Sequence, residues 1–145
     1  MTDIEEIVDH ARRFYGDLRS PKIVPNAQFH YDAVPRRKIE DLLSKHSLSF
    51  EDVTDLNEDR CVIYQLEAEG LRGVLCISFV HGYFHTSQFL ISYIRALQHE
   101  FDLKFVDLED LRRTVDVNDD FFAYDPPPTL ENVLFSDYKQ NWEPF

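Results

Sequence analysis

Apolar and polar positions recur along this chain with two different periods. Ile4, Ile7, Val8, Ala11, Tyr15 and Leu18 are spaced like one face of a helix and predict a helix over 3–18. Thr2-Asp3-Ile4-Glu5 fits a capping box at its start, with Glu5 reaching back to the N-cap amide. Pro21 and Pro25 bound an extended connector. Pro35 suits the first turn of a second helix, where its missing N–H costs nothing, and Ile39, Leu42 and Leu43 form that helix's apolar face. His46-Ser47 ends it.

From Leu48 the period shortens. Leu48, Phe50 and Val53 point to a short strand or turn before the polar loop 55–60. Val62, Tyr64, Leu66 and Ala68 then alternate with Ile63, Gln65, Glu67 and Glu69, which predicts a half-buried strand. Gly70-Leu-Arg-Gly73 is expected to be a hairpin turn. Residues 74–80 are apolar nearly throughout and predict a central strand covered on both faces. Thr86 and Ser87 are candidate caps for a helix over 87–100, whose wide apolar face (Phe89, Leu90, Tyr93, Ile94, Leu97, Phe101) predicts heavy burial. Leu103, Phe105, Val106 and Leu108 read as a further strand, and 109–113 as a helical turn. Asp125-Pro-Pro-Pro128 is stiff polyproline, after which Thr129 caps a last short helix.

The expected fold is one α+β domain over 1–145, with two N-terminal helices, then a β-hairpin, a buried helix and a further strand. Its sheet has three to five strands, with helices mainly on one face. The crossover through the 87–100 helix can make the last pair parallel, right-handed if those strands are adjacent.

Composition agrees with a packed domain. Of 145 residues, 43% are apolar and 14% aromatic, enough for a core at this size without staples. Cys61 and Cys76 fall inside strand-like runs and read as reduced core thiols. The N-terminus lacks the basic-then-apolar shape of a signal peptide and no apolar run is long enough to span a bilayer, so a cytoplasmic location is expected, with no membrane partner.

Charge changes the functional picture most. The net charge is −12, which disfavours direct nucleic-acid binding. Segment 46–60 carries one Arg and five acids, and segment 100–145 carries four basic and twelve acidic residues, while the rest balances. The excess is therefore confined to two segments flanking a neutral centre.

Few chemical motifs survive inspection. Asp55-x-Asn57-x-Asp59 and Asp116-x-Asn118-x-Asp120 begin like calcium loops. They lack the Gly at position six and the Glu at position twelve that the ion's geometry needs, so no metal is expected. His81-Gly-Tyr-Phe-His85 is the most suggestive cluster, at the expected handover from a buried strand to a buried helix, and makes His81, Tyr83 and His85 a candidate loop site. No nucleophile elbow or glycine-rich phosphate loop occurs, so neither a catalytic residue nor a cofactor is assigned. Arg36-Arg37-Lys38 sits at the end of its helix where cations are mildly unfavourable and needs a compensating partner.

The strongest candidate is the run 116–125, in which Asp116, Asp119, Asp120 and Asp125 surround Phe121, Phe122 and Tyr124. Aromatic anchors rimmed by charge are the composition of an energetic protein interface. The expectation is a small acidic binding protein that masks a basic partner, such as a toxin-immunity protein or a nuclease inhibitor. The alternatives are a small enzyme or ligand-binding domain using the His81–His85 loop, and a structural subunit of a larger assembly.

Overall fold

A computed structural model describes residues 4–15, 27–57, 59–80, 82–115, 129–135 and 142, without the side chains of Tyr15, Tyr93 and Ile94. The chain runs α1 (Ile4–Tyr15), α2 (Ala27–Ala33), α3 (Arg36–Lys45), β1 (Ser49–Asp52), β2 (Cys61–Ala68), β3 (Leu71–Ser78), β4 (Tyr83–Thr86), α4 (Ile91–Glu100), β5 (Lys104–Phe105), α5 (Leu108–Leu111) and α6 (Leu130–Leu134). The strands form one mixed five-stranded sheet in sequence order, so β3 is its centre and β1 and β5 are its edges. The first three pairings are antiparallel, and the β4–β5 pair, joined through α4, is parallel. This is an α+β fold, as the sequence pattern predicts.

Alternation along the strands sends successive side chains to opposite faces, and both faces are covered. Cys61, Ile63, Val74 and Cys76 pack on one side with α1, α5 and α6. Val62, Tyr64, Leu66, Leu75, Ile77 and Phe84 pack on the other with α3 and α4. The expectation of helices mainly on one face is thus corrected, while the half-buried alternation of β2 holds from Gln65 to Ala68 and fails at Ile63, which is buried with its neighbours.

Other differences are local. An unpredicted helix, α2, precedes α3, because Ala27, Tyr31 and Val34 follow helical spacing and pack on the second core, while the connector expected between Pro21 and Pro25 lies outside the described residues. The hairpin turn is tighter than expected. Glu69 and Gly70, at φ 53° and 79°, form a two-residue connection whose twist matches the strands, and β3 begins at Leu71. Gly73 is therefore inside a strand, where a Cβ would meet Phe89 Cε1 at 2.7 Å, Ser87 Oγ at 2.8 Å and Leu90 Cδ1 at 2.9 Å.

Thr86 and Ser87 do not cap a helix. Thr86 Oγ1 donates to the Val74 carbonyl at 3.0 Å and Ser87 Oγ accepts from the Val74 N–H at 3.0 Å, so both side chains tie the end of β4 to β3. The helix expected over 87–100 starts as a 3-10 turn at Gln88–Leu90 and is amphipathic, burying Leu90 and Leu97 and exposing Ser92, Arg95, Gln98, His99 and Glu100. Thr129 does cap α6, exchanging side-chain and backbone bonds with Asn132.

Candidate functional site

Asp116, Asp119, Asp120, Phe121, Phe122, Tyr124 and Asp125 lie outside the described residues, as does His81. The other two members of the His81–His85 cluster do not sit on a loop. Tyr83 and His85 belong to β4, where alternation points both into the first core.

Tyr83 is buried and shares a 2.6 Å hydrogen bond with His10 Nδ1 of α1. Burial, reinforced by the nearby Glu6 carboxylate, pushes its phenol above the ordinary value. His85 is 3% exposed. Its Nδ1–H donates to the Val106 carbonyl at 2.6 Å, and its ring stacks on Phe105 and meets Trp142 edge-on. Burial lowers its pKa from 6.5 to about 4, against the opposing pull of the Val106 bond and Asp107. An imidazole held neutral and shielded in this way packs as a core side chain. The two cysteines are also core groups. Both are buried and free, and burial raises the Cys61 thiol, with the neighbouring Cys76 acting in the same direction.

The first acidic segment forms the open edge of the sheet. Strand β1 pairs with β2 on one side and has no strand on the other among the described residues. Val53 N–H donates to the Ile63 carbonyl at 2.9 Å, and the register sets Glu51 opposite Gln65 and Ser49 opposite Glu67. In an antiparallel ladder residues two apart bond in the same direction, so Phe50 and Asp52 turn their N–H and C=O groups away from the sheet.

Side chains along this edge differ in burial, and the acid Asp59 is among the buried ones. Glu51 and Asp55 are exposed. Asp52 is half-buried, accepting from the Tyr31 hydroxyl and from the N–H and hydroxyl of Thr54 at 3.0 and 2.6 Å. The segment's one cation, Arg60, is 1% exposed and reaches the Asn132 carbonyl at 3.3 Å. Its backbone is also held, N–H to the Phe135 carbonyl and C=O to the Phe79 N–H.

The Asp55–Asp59 loop closes on itself. Asp59 accepts from the Asp55 N–H at 2.7 Å and Asp55 from the Asn57 N–H at 3.0 Å, which turns oxygens toward backbone amides. Among the described residues no three His, Cys, Asp or Glu side chains converge as a metal site. No described helix is long and apolar enough to cross a membrane.

Within the cation cluster at the start of α3, Arg36 finds a counter-charge locally. It pairs with Asp32 at 3.5 Å and lies 3.8 Å over the Tyr31 ring, so α2 offsets part of the unfavourable charge at the start of the next helix. Sequence reading missed this arrangement along with α2. Comparison with protein-family models, curated proteins and solved structures finds no match to this chain.

Proposed function

We propose that this chain is a small acidic binding protein that docks a basic protein partner, in the manner of a nuclease inhibitor or an immunity protein masking a toxin. One observation carries the reading. The acidic segment 46–60 supplies one free edge of the sheet and keeps Glu51 and Asp55 in water, while its only cation, Arg60, is buried together with Asp59. The edge thus presents carboxylates to solvent with no exposed Lys or Arg from its own segment. Such a field raises the association rate of a basic partner and repels phosphate backbones.

The open edge supplies a mode of attachment. A basic extended segment can add beside β1, taking main-chain bonds from Phe50 and Asp52 while Glu51 favours Lys or Arg on the incoming strand. A second copy pairing there would bring like charges together, which disfavours self-association.

The test is to capture the partner from the source cells with the intact chain and measure association at several salt concentrations. The expected partner is basic, and its on-rate falls steeply with salt. Reversal of the exposed acids (Glu51→Lys with Asp55→Lys, and separately Asp119→Lys with Asp120→Lys) should lower the on-rate and flatten the salt dependence. A neutral or acidic partner, or rates unchanged by both double reversals at low salt, rejects the reading.

A further inference from the structure

A cavity of about 420 Å3 opens where α1, α2 and α3 converge over the end of β3. Its size falls in the range of small-ligand sites. In a chain with 29% charged residues, no Asp, Glu, Lys or Arg among the described residues lines it. Phe14, Phe29, Phe79 and Phe101 form much of the wall, with aliphatic groups between them. Three of these phenyl rings gather around His30, their centroids 4.6 Å (Phe14), 5.7 Å (Phe29) and 6.2 Å (Phe79) from the imidazole. Ser78 in the lining donates to the Leu134 carbonyl at 2.8 Å and accepts from the Val80 N–H at 3.1 Å.

We propose that this cavity is a binding site for an uncharged, flat aromatic small molecule, held between the phenyl rings. The wall chemistry selects the class. Phenyl rings favour aromatic guests in stacked or edge-to-face contact, and a wall without a counter-charge penalises an ionised guest that must shed its water.

The surroundings favour a small molecule over a protein segment. Phe29 is 71% exposed at the mouth, and the other large apolar side chains exposed among the described residues, Val53 and Leu71, do not line the cavity. One exposed ring does not make the contiguous apolar area that a stable protein interface buries. The site is also separate from the acidic edge, so it stands or falls independently of the docking function.

The experiment uses the intact chain and the neutral fluorophore N-phenyl-1-naphthylamine. The expected result is saturable binding of one probe per chain. The anionic anilinonaphthalene sulfonate should bind at least tenfold more weakly. Ala33→Trp places an indole at an exposed, cavity-lining position and should weaken the neutral probe at least tenfold without lowering the melting temperature. Intermolecular NMR contacts from the probe to the rings of Phe14, Phe29 and His30 locate the site in the unmodified protein, whatever the variant's fate. Non-saturable binding, contacts to other residues, or equal binding of the anionic probe overturns the proposal.

Discussion

The imidazole of His85 stands edge to face against the indole of Trp142, with ring centroids 4.4 Å apart and planes at 82°. The indole N–H donates to Glu131 Oε1 at 2.9 Å, so Trp142 links β4 to α6 through one buried side chain. The same ring packs against Phe135 at 6.4 Å. A neutral His85 suits this enclosure, and a protonated one would place a charge among the rings of Phe105 and Trp142.

That enclosure makes stability depend on pH. With the folded pKa depressed from 6.5 to about 4, the unfolded chain binds the extra proton between those values. The contribution of neutral His85 is complete above about pH 6.5 and is lost as pH falls toward 4, by roughly 3 kcal/mol in all. Denaturant unfolding at pH 7 and 4.5 should show a larger loss for the wild type than for His85→Gln, which cannot titrate. Equal losses would contradict the assignment.

Gly73 is set by a close approach and Gly70 by backbone conformation, so their alanine variants should fail differently. Gly73→Ala drives a methyl against Phe89, Ser87 and Leu90 and should cost about 1–3 kcal/mol, with disturbed packing where β4 leads into α4. Gly70→Ala meets no atom within 4 Å, and its penalty of about 1 kcal/mol comes from a φ of 79°. Unfolding curves give the magnitudes, and chemical shifts at Ser87–Leu90 should move only for Gly73→Ala.

Cys61 and Cys76 should react with a thiol reagent only through opening of the fold. Both are buried, and burial raises the Cys61 thiol, which keeps it protonated. Labelling in native buffer should be slow and should accelerate to completion in denaturant. Fast native labelling of either residue would show that the two central strands are less shielded than described.

Tyr31 fastens α2 to the sheet edge through its hydroxyl, which donates to Asp52 and accepts from Arg36 Nη1 at 3.0 Å. Burial and the Asp52 bond push its phenol up to about 12. Tyr31→Phe keeps the ring under Arg36 and removes the bond, for a cost of about 1–2 kcal/mol. Amide exchange should quicken in Ala27–Ala33 and stay unchanged in β2 and β3. Uniform quickening, or none, would argue that α2 is held by packing alone.

The sequence by itself determined the elements whose periodicity is strong. Alternation from Val62 to Ala68 and the apolar run through Val74–Val80 give β2 and the central strand, and the spacing from Ile4 to Ala11 gives α1, because local patterning sets which side of an element is apolar. Thr129 before α6 was legible for the same reason, since a cap acts within three residues. Tertiary structure decided the rest. Whether a strand is covered on one face or two depends on where distant helices land, so the burial of Ile63 and Cys61 under α1 and α6 left no local trace. The same holds for the sites. His81–His85 has the letters of a functional loop, yet pairing with β3 and β5 makes Tyr83 and His85 core residues of a strand. Phe29 and His30 gain meaning only when α2 folds over the end of β3, and the acidity of segment 46–60 becomes an exposed edge only because β1 pairs on one side while Arg60 is held by Asn132 far along the chain. Patterns a few residues long fix secondary structure, whereas sites assembled from separated segments are fixed by long-range packing.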